Sequence, residues 1–396
     1  MNYFDKYDWP TMMSLNPPAE KSEYDIKKYH AILEPQPPQF LQKYYELPIL
    51  QRLRNVGLLC GTDWTPLYKN RFYYSRFDHS VGVALIIWHF THDKAQTISG
   101  LLHDVSTPVF SHVSDFRKGD ALTQTETEGT NESIIRSNKE LAALLEQDGL
   151  TVEQVEDYHK YPIADNEIPQ LSSDRLEYMF PSGMALDGSW DLPSVKRAYE
   201  DLEVLRNEEG LPELGFKTLE IAEDYTRRFC MIGHILQLNE NKLTLHMLGQ
   251  IMNLAVQVGI LAENDFMEKS EAEIIGILDK ELTGKNFQFT QSQSGPTNDK
   301  IAWKREGSEL SRLYKTFRTM TKIEHSQTPL DENEYFCISL KVKQRYINPL
   351  VKISSQNNNN SGAEYRRISN VSSKAKKIID DFLDFRDSAF GCVHLL

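Results

Sequence analysis

The sequence predicts a mainly α-helical protein with a small C-terminal α+β appendage, and three observations carry that reading. Apolar residues recur at helical spacing through most of the chain between residues 41 and 330. Runs rich in β-branched and aromatic residues, the mark of strands, are scarce before residue 330 and cluster after it. Of 396 residues, 40% are hydrophobic and 26% charged, an ordinary globular composition that excludes a wholly disordered, collagen-like or coiled-coil chain.

The elements follow in order. Pro10, Pro17, Pro18, Pro35, Pro37 and Pro38 remove amide donors and disfavour helix in the residues before them, so residues 1–40 are expected as an extended arm. Pro48 can open a helix in which Ile49, Leu53 and Val56 share a face. Val83, Ile86, Ile87 and Phe90, then Ile98, Leu101 and Leu102, predict a buried helical hairpin around the polar break Asp93-Lys94. Further helices are expected over Ile134–Leu145, Val195–Leu205, Lys217–Leu236, Leu243–Leu261, Glu271–Leu282 and Ser308–Thr319. Tyr335–Val342 and Arg345–Ile353 read as a strand pair around a turn, followed by a polar loop through Asn357–Asn360 and an amphipathic helix over Ser373–Phe385. The organisation is therefore an arm (1–40), a helical domain (41–330) and a basic appendage (331–396).

Charge and cysteine usage narrow the function. With 44 Lys+Arg against 57 Asp+Glu the net charge is −13, a poor match for blanket binding to nucleic acid or an anionic membrane. Cys60, Cys230, Cys337 and Cys392 form no CxxC pair, so neither a zinc knuckle nor a disulfide framework is expected, and a reducing cytoplasm fits. Asp5, Lys6, Asp8 and Pro10 interrupt any signal-peptide core, and Val81–Trp88 and Leu254–Leu261 are far shorter than the roughly 20 residues that cross a bilayer. A soluble cytoplasmic protein is expected. No Walker loop, GxGxxG or GxSxG is present, so P-loop, dinucleotide and serine-hydrolase chemistries lack their defining residues.

Two neighbouring elements hold polar groups inside apolar surroundings: His79 in RFDHSVGVALII, and His103-Asp104 in ISGLLHDVSTPVFSH. Packed antiparallel, the two helices would bring imidazole nitrogens and a carboxylate together, a donor set suited to one divalent ion such as Mn, Fe, Co, Ni or Zn. Each residue alone also fits a hydrogen-bonded helix cap. His89 and His92 have an HxxH look but stand among Trp88 and Phe90 and read as helix-packing residues, while His234 and His246 lie in apolar helices without acidic partners at ligand spacing and read as structural.

Five elements occur together: QRLR (Gln51–Arg54), RFDHS (Arg76–Ser80), HD (His103-Asp104), FSH (Phe110–His112) with Asp115, and SDRLEY (Ser173–Tyr178). In order and spacing, over roughly residues 45–180, the chain resembles HD-domain phosphohydrolases, most of all the branch containing deoxynucleoside triphosphate triphosphohydrolases. The resemblance implies an HD-domain helical bundle and a metal-dependent phosphohydrolase acting on a nucleotide or related phosphate ester. It implies His79, His103, Asp104 and Asp174 as metal ligands. Arg76, Arg175 and Tyr178 match positions that touch substrate phosphates, Gln51 a position near sugar and base, and His112 and Asp115 groups at the scissile phosphate and attacking water.

The chain departs from the family pattern at two places. Thr107 stands where relatives carry a second histidine, and Asn131-Glu132 where they carry a His-Glu pair. Asn cannot donate a proton at neutral pH as His⁺ can, so the resemblance carries metal-activated hydrolysis but not triphosphate release. Two alternatives stay open: a nucleotide-effector-binding HD protein with little catalysis, and an HD phosphodiesterase. From Lys341 to Lys377 nine basic side chains face the single acid Glu364, with Tyr346 and Tyr365 interleaved. That segment is either a solvated face or a polyanion site, and the resemblance favours a regulatory nucleotide or a contact between copies in a homo-oligomer over bulk nucleic acid.

Overall fold

Helices dominate the fold, as the spacing of apolar residues predicts, and the two that carry the buried polar groups lie at its centre. The computed structural model describes residues 23–119, 121–122, 130–283, 297–353 and 364–396. Most of the expected arm, residues 1–22, and the Asn357–Asn360 loop lie outside the described residues. The rest of the arm is not extended: α1 (Glu23–Leu33) is a helix that buries Tyr29 and Leu33. The prolines bracket this stretch and none falls inside it, so the helix meets no missing donor.

Pro48 opens a helix that keeps α geometry only to Gln51 and tightens to a 3₁₀ turn over Arg52–Asn55. α2 (Arg76–Thr91) starts where the Ser75 hydroxyl accepts the Asp78 N–H. Nearly every residue from Arg76 to Ile87 is buried, as befits a helix that is apolar on most faces. α3 (Lys94–Leu102) is capped by Asp93 and folds back on α2. The approach is close enough that a Cβ on Gly100 would lie 2.2 Å from Ile87 Cδ1. α4 (Val113–Arg117) follows the HD turn, and α5 (Ser173–Leu186), capped by Ser172, packs on α2.

The expected helix Val195–Leu205 is instead α6 (Leu192–Glu200) followed by a hairpin of β1 (Leu202–Arg206) and β2 (Pro212–Phe216). The expected helix Ile134–Leu145 is broken at Asn138, whose side chain caps the second piece. Long helices α7 (Leu219–Gln237), α8 (Asn239–Gln257), α9 (Glu271–Thr283) and α10 (Thr297–Thr319) complete the bundle.

The C-terminal region differs most from expectation. β3 (Glu324–Ser326), β4 (Tyr335–Ile338), β5 (Leu350–Ile353), β6 (Glu364–Arg367), α11 (Ser373–Leu383) and β7 (Phe390–His394) form two sheets rather than one hairpin. β5 pairs in parallel with β2 and antiparallel with β6, whereas β4 pairs with β7, which also pairs with β3. The two runs expected to pair with each other therefore sit in different sheets. Arg367 reinforces the first sheet by gripping Glu213 on β2 through both carboxylate oxygens (2.6 and 2.9 Å). On the second, register sets Cys337 opposite Cys392 and the two are joined as a disulfide, which spacing 55 residues apart did not signal. The main hydrophobic core runs from Tyr29 to Val393 and includes Ile338, Val351, Ile368 and Phe382, so the described part of the C-terminal region packs into the helical bundle. Among the described residues no helix is long and apolar enough to cross a membrane.

Candidate metal centre and its cavity

α2 delivers His79 one turn from its start, and α3 ends at His103-Asp104, so the helical hairpin brings the three residues together. Asp174, in the first turn of α5, supplies a fourth donor. His79 Nε2 lies 3.2 Å from His103 Nε2, 3.1 Å from Asp174 Oδ1 and 3.8 Å from Asp104 Oδ2. His103 Nε2 lies 3.6 Å from Asp104 Oδ2 and 3.8 Å from Asp174 Oδ1. Donors about 2.1 Å from a shared ion stand roughly 3.0–3.4 Å apart, so the cluster needs little movement to close around one divalent cation.

The ring orientation also fits. His79 Nδ1 donates to Glu177 Oε2 (2.5 Å) and His103 Nδ1 to the Gly100 carbonyl (2.7 Å), leaving both Nε2 atoms to face the centre. A partner on the second nitrogen is the usual device for fixing a ligating imidazole. Glu177 follows Asp174 by three residues on one helix face, so two acids of α5 bracket the same imidazole. Its carboxylate also accepts from Tyr29 (3.0 Å) and Tyr74 (2.6 Å) and lies where a Cβ on Gly82 would stand, 2.4 Å from Oε1. Only glycine at 82 leaves room for it.

The electrostatics favour positive charge at the centre. Burial works against a charged His79, but Glu177 and Asp174 outweigh it and push its pKa up to about 10. Burial likewise opposes ionised Asp104, yet Arg76, then His103 and His79, hold it well below the usual carboxylate range. Asp174 is held low in the same way by His79 and His103. Thr107 donates to Asp104 Oδ1 (2.8 Å), while Arg76 takes Oδ2 (2.9 Å). Arg52 hydrogen-bonds the carbonyls of Val105 and Thr107 and so fixes the turn that carries the aspartate.

The cluster opens on a cavity of about 170 Å³. The predicted residues divide over it. His79, His103, Asp104, Asp174, Arg76, His112 and Tyr178 line it. Asp115 does not; it is fully buried behind His112 and accepts from its Nδ1 (2.9 Å), so it orients the imidazole rather than meeting water or phosphate. Burial, with Arg345 and Arg76, lowers the His112 pKa against the opposing pull of Asp115, which favours the neutral ring, and Nε2 has no hydrogen-bond partner among the described residues. Tyr178 has a buried hydroxyl with no hydrogen-bond partner among the described residues, and burial pushes its pKa up to about 12.

Arg175 and Gln51 lie outside the cavity lining. Arg175 is turned onto the 165–170 loop, where it bonds the Gln170 carbonyl (2.9 Å), Asp165 (3.1 Å) and Asn166. Gln51 bonds the Tyr45 carbonyl and accepts from Arg54 (2.9 Å). Asn131 also stands outside, and its neighbour Glu132 pairs with Arg136 (2.8 Å). His246 stacks on Phe336, whereas His89 is exposed and, besides its ring contact with Tyr199, has an acidic partner in Glu34 (3.2 Å).

Sequence reasoning missed Glu177, Tyr29 and Glu271. Glu271 accepts the N–H groups of Gly57 (2.8 Å) and Phe110 (3.1 Å) and the Trp64 indole (2.8 Å). It thereby clamps the turn in which Phe110 and Ser111 adopt the left-handed backbone (φ 62 and 52) that presents His112. The signal for Glu177 lay inside SDRLEY, at helical spacing from Asp174. No local signal marked the other two.

No family model matches the chain. An uncharacterised Bacillus subtilis protein, YdhJ, is 25% identical over 217 residues, 54% of this chain and 63% of that protein, so less than two thirds of its length is matched. A phosphohydrolase of Bacteroides thetaiotaomicron superposes at 14% identity over 91% of this chain and 96% of that one, with a TM-score of 0.56. A hypothetical protein from Aquifex aeolicus superposes at 16% identity over 91% and 93%, with a TM-score of 0.52. The chain thus has the fold of a known phosphohydrolase, mainly α and nearly complete in its coverage.

Proposed function

We propose that the chain is an HD-type metal-dependent phosphohydrolase acting on a nucleotide or related small phosphate ester. The observation that carries this reading is the convergence of His79, His103, Asp104 and Asp174 at the wall of a cavity also lined by Arg76, His112 and Arg345. The fold shared with a phosphohydrolase supports it. When bound, a divalent Mn, Fe, Co, Ni or Zn ion supplies Lewis acidity toward a phosphate oxygen and water. His112, neutral and held by Asp115, offers Nε2 as the acceptor for a proton leaving water. Arg76 holds Asp104 in place, and Tyr178 offers its hydroxyl to a phosphate oxygen.

A panel of nucleoside mono-, di- and triphosphates and cyclic nucleotides, with each of the five metals, tests the reading. Metal-dependent turnover of one ester class is expected; none at full metal occupancy would overturn it. The position of Asn131 outside the cavity favours a second reading, a nucleotide-effector-binding protein with little catalysis, which metal-dependent binding without turnover would support. Turnover confined to cyclic nucleotides would make it an HD phosphodiesterase.

A further inference from the structure

We infer that Arg345, with Lys343 beside it, is a substrate-binding residue contributed by the C-terminal segment, and that it holds a second phosphate, distinct from the one at the metal centre. The inference rests on the hydrolase reading for the identity of the cavity, and deepens it by naming the ligand class: an ester or anhydride carrying at least two phosphates.

Positive charge inside the cavity is the first ground. Of the two arginines that the family pattern assigns to phosphates, Arg175 is spent on the 165–170 loop, and Arg76 is tied to Asp104 (2.9 Å) and Ser111 (3.0 Å). A phosphate chain longer than one unit therefore needs another cation, and Lys343 and Arg345 line the same cavity. Arg345 makes no ion pair with a carboxylate among the described residues. Its guanidinium is a planar fork matched to phosphate oxygens.

Placement is the second ground. The metal ligands come from α2, α3 and α5, whereas Lys343 and Arg345 come from the C-terminal segment that crosses α7, and they line the cavity together with Ile235 and Leu236 of α7 and Leu245 of α8. The segment is fixed there. Val342 and Ile347 are buried on either side, the Lys343 carbonyl accepts from Gln237 (3.0 Å), and Gln344 reaches the Leu383 carbonyl (3.3 Å). The Arg345 carbonyl lies 3.2 Å from where a Cβ on Gly233 would be, so α7 carries glycine where the segment crosses. The side chain lines the cavity together with His112 and Cys60, and its charge adds to the lowering of the His112 pKa and opposes the burial that raises that of Cys60.

The test is calorimetric binding of inorganic tripolyphosphate and of orthophosphate to the metal-loaded full chain. Arg345→Ala should weaken tripolyphosphate by about tenfold to a hundredfold while orthophosphate affinity and metal content stay at wild-type values. Arg345→Lys, which keeps the charge and loses the fork, should fall between, and serves if the alanine variant does not fold. Unchanged tripolyphosphate affinity in both variants, or equal loss of the two anions, would overturn the assignment. Arg345-dependent binding without turnover of any ester would leave this inference standing and remove the hydrolase reading. Turnover of polyphosphate substrates indifferent to Arg345 would do the reverse.

Discussion

Replacing Glu177 separates the stability of the metal centre from its ability to bind metal. The side chain is fully buried and its two oxygens have different tasks: Oε1 accepts from Tyr29 and Tyr74, and Oε2 accepts from His79 Nδ1. Glu177→Gln can keep the carbonyl oxygen toward the tyrosines, which turns the amide NH₂ toward His79. A donor then faces a donor. The imidazole relieves this by moving its proton to Nε2, the atom that faces the ion. Loss of a charge-assisted hydrogen bond is worth about 1.5–3 kcal/mol, and loss of such a supporting partner lowers metal affinity by about 10- to 100-fold.

Glu177→Ala should behave differently. It leaves two tyrosine hydroxyls and one imidazole nitrogen unpaired, at about 1–3 kcal/mol each, so the fold as well as the metal site should suffer. Titration calorimetry with Zn or Mn and thermal melts of the metal-free protein read the two effects. The glutamine variant should melt far closer to wild type than the alanine variant, while both bind metal weakly. Wild-type metal affinity in the glutamine variant would refute the role given to Oε2, and wild-type melting in the alanine variant would refute the buried network.

Asp104→Ala removes a ligand and the acceptor of buried Arg76, so metal content should fall to background and stability by about 3–5 kcal/mol; full occupancy by elemental analysis would reject the cluster. Arg367→Ala leaves Glu213, which is wholly buried, without its bidentate partner, and should cost about 3–5 kcal/mol in denaturant unfolding with the metal ligands untouched. Burial pushes Glu271 up from its ordinary 4.5 to about 7. A group raised in the folded state contributes its full stability below the unfolded value and loses it as pH rises through the folded one, here by about 3 kcal/mol at most. The stability difference between wild type and Glu271→Gln should therefore fall from pH 4.5 to 7; a flat difference would mean that the carboxyl is not titrating.

The centre was legible in the sequence because three of its ligands, His79, His103 and Asp104, sit on or at the end of two helices joined by a short break, where helical spacing fixes direction. Glu177 shares that legibility in principle, three residues after Asp174. Arg175 and Gln51 were not legible, since a long side chain's direction depends on which acceptors surround it, and the carbonyls of residues 165–170 and of Tyr45 are brought near only by the fold. The β1–β2 hairpin was hidden because Val195, Tyr199, Leu202 and Leu205 keep helical spacing across the end of α6. Pairings of β5 with β2 and of Cys337 with Cys392 are long-range, and local pattern carries no information about them.

Thr107 and Asn131 bear on which bond the proposed hydrolase can break. Thr107 spends its hydroxyl on Asp104, so among the described residues the cavity holds one imidazole besides His79 and His103, that of His112. His112 donates a hydrogen bond from Nδ1 to Asp115 and, with its pKa lowered, presents a bare Nε2 that can take a proton but not supply one. Tyr178, raised to about 12, donates a hydrogen bond more readily than a proton. Between them the His112 imidazole and the Tyr178 phenol offer a base and no strong acid. Leaving groups that depart as stable anions, such as phosphates released from an anhydride or a phenolate, should therefore turn over much faster than alkoxides of matched size. Because Asn131 lies outside the cavity, Asn131→His should leave that preference unchanged. The dependence of kcat on leaving-group pKa measures this directly. A slope near zero in wild type, or one flattened by Asn131→His, would mean that an acid reaches the leaving oxygen and that His112 has been given the wrong role.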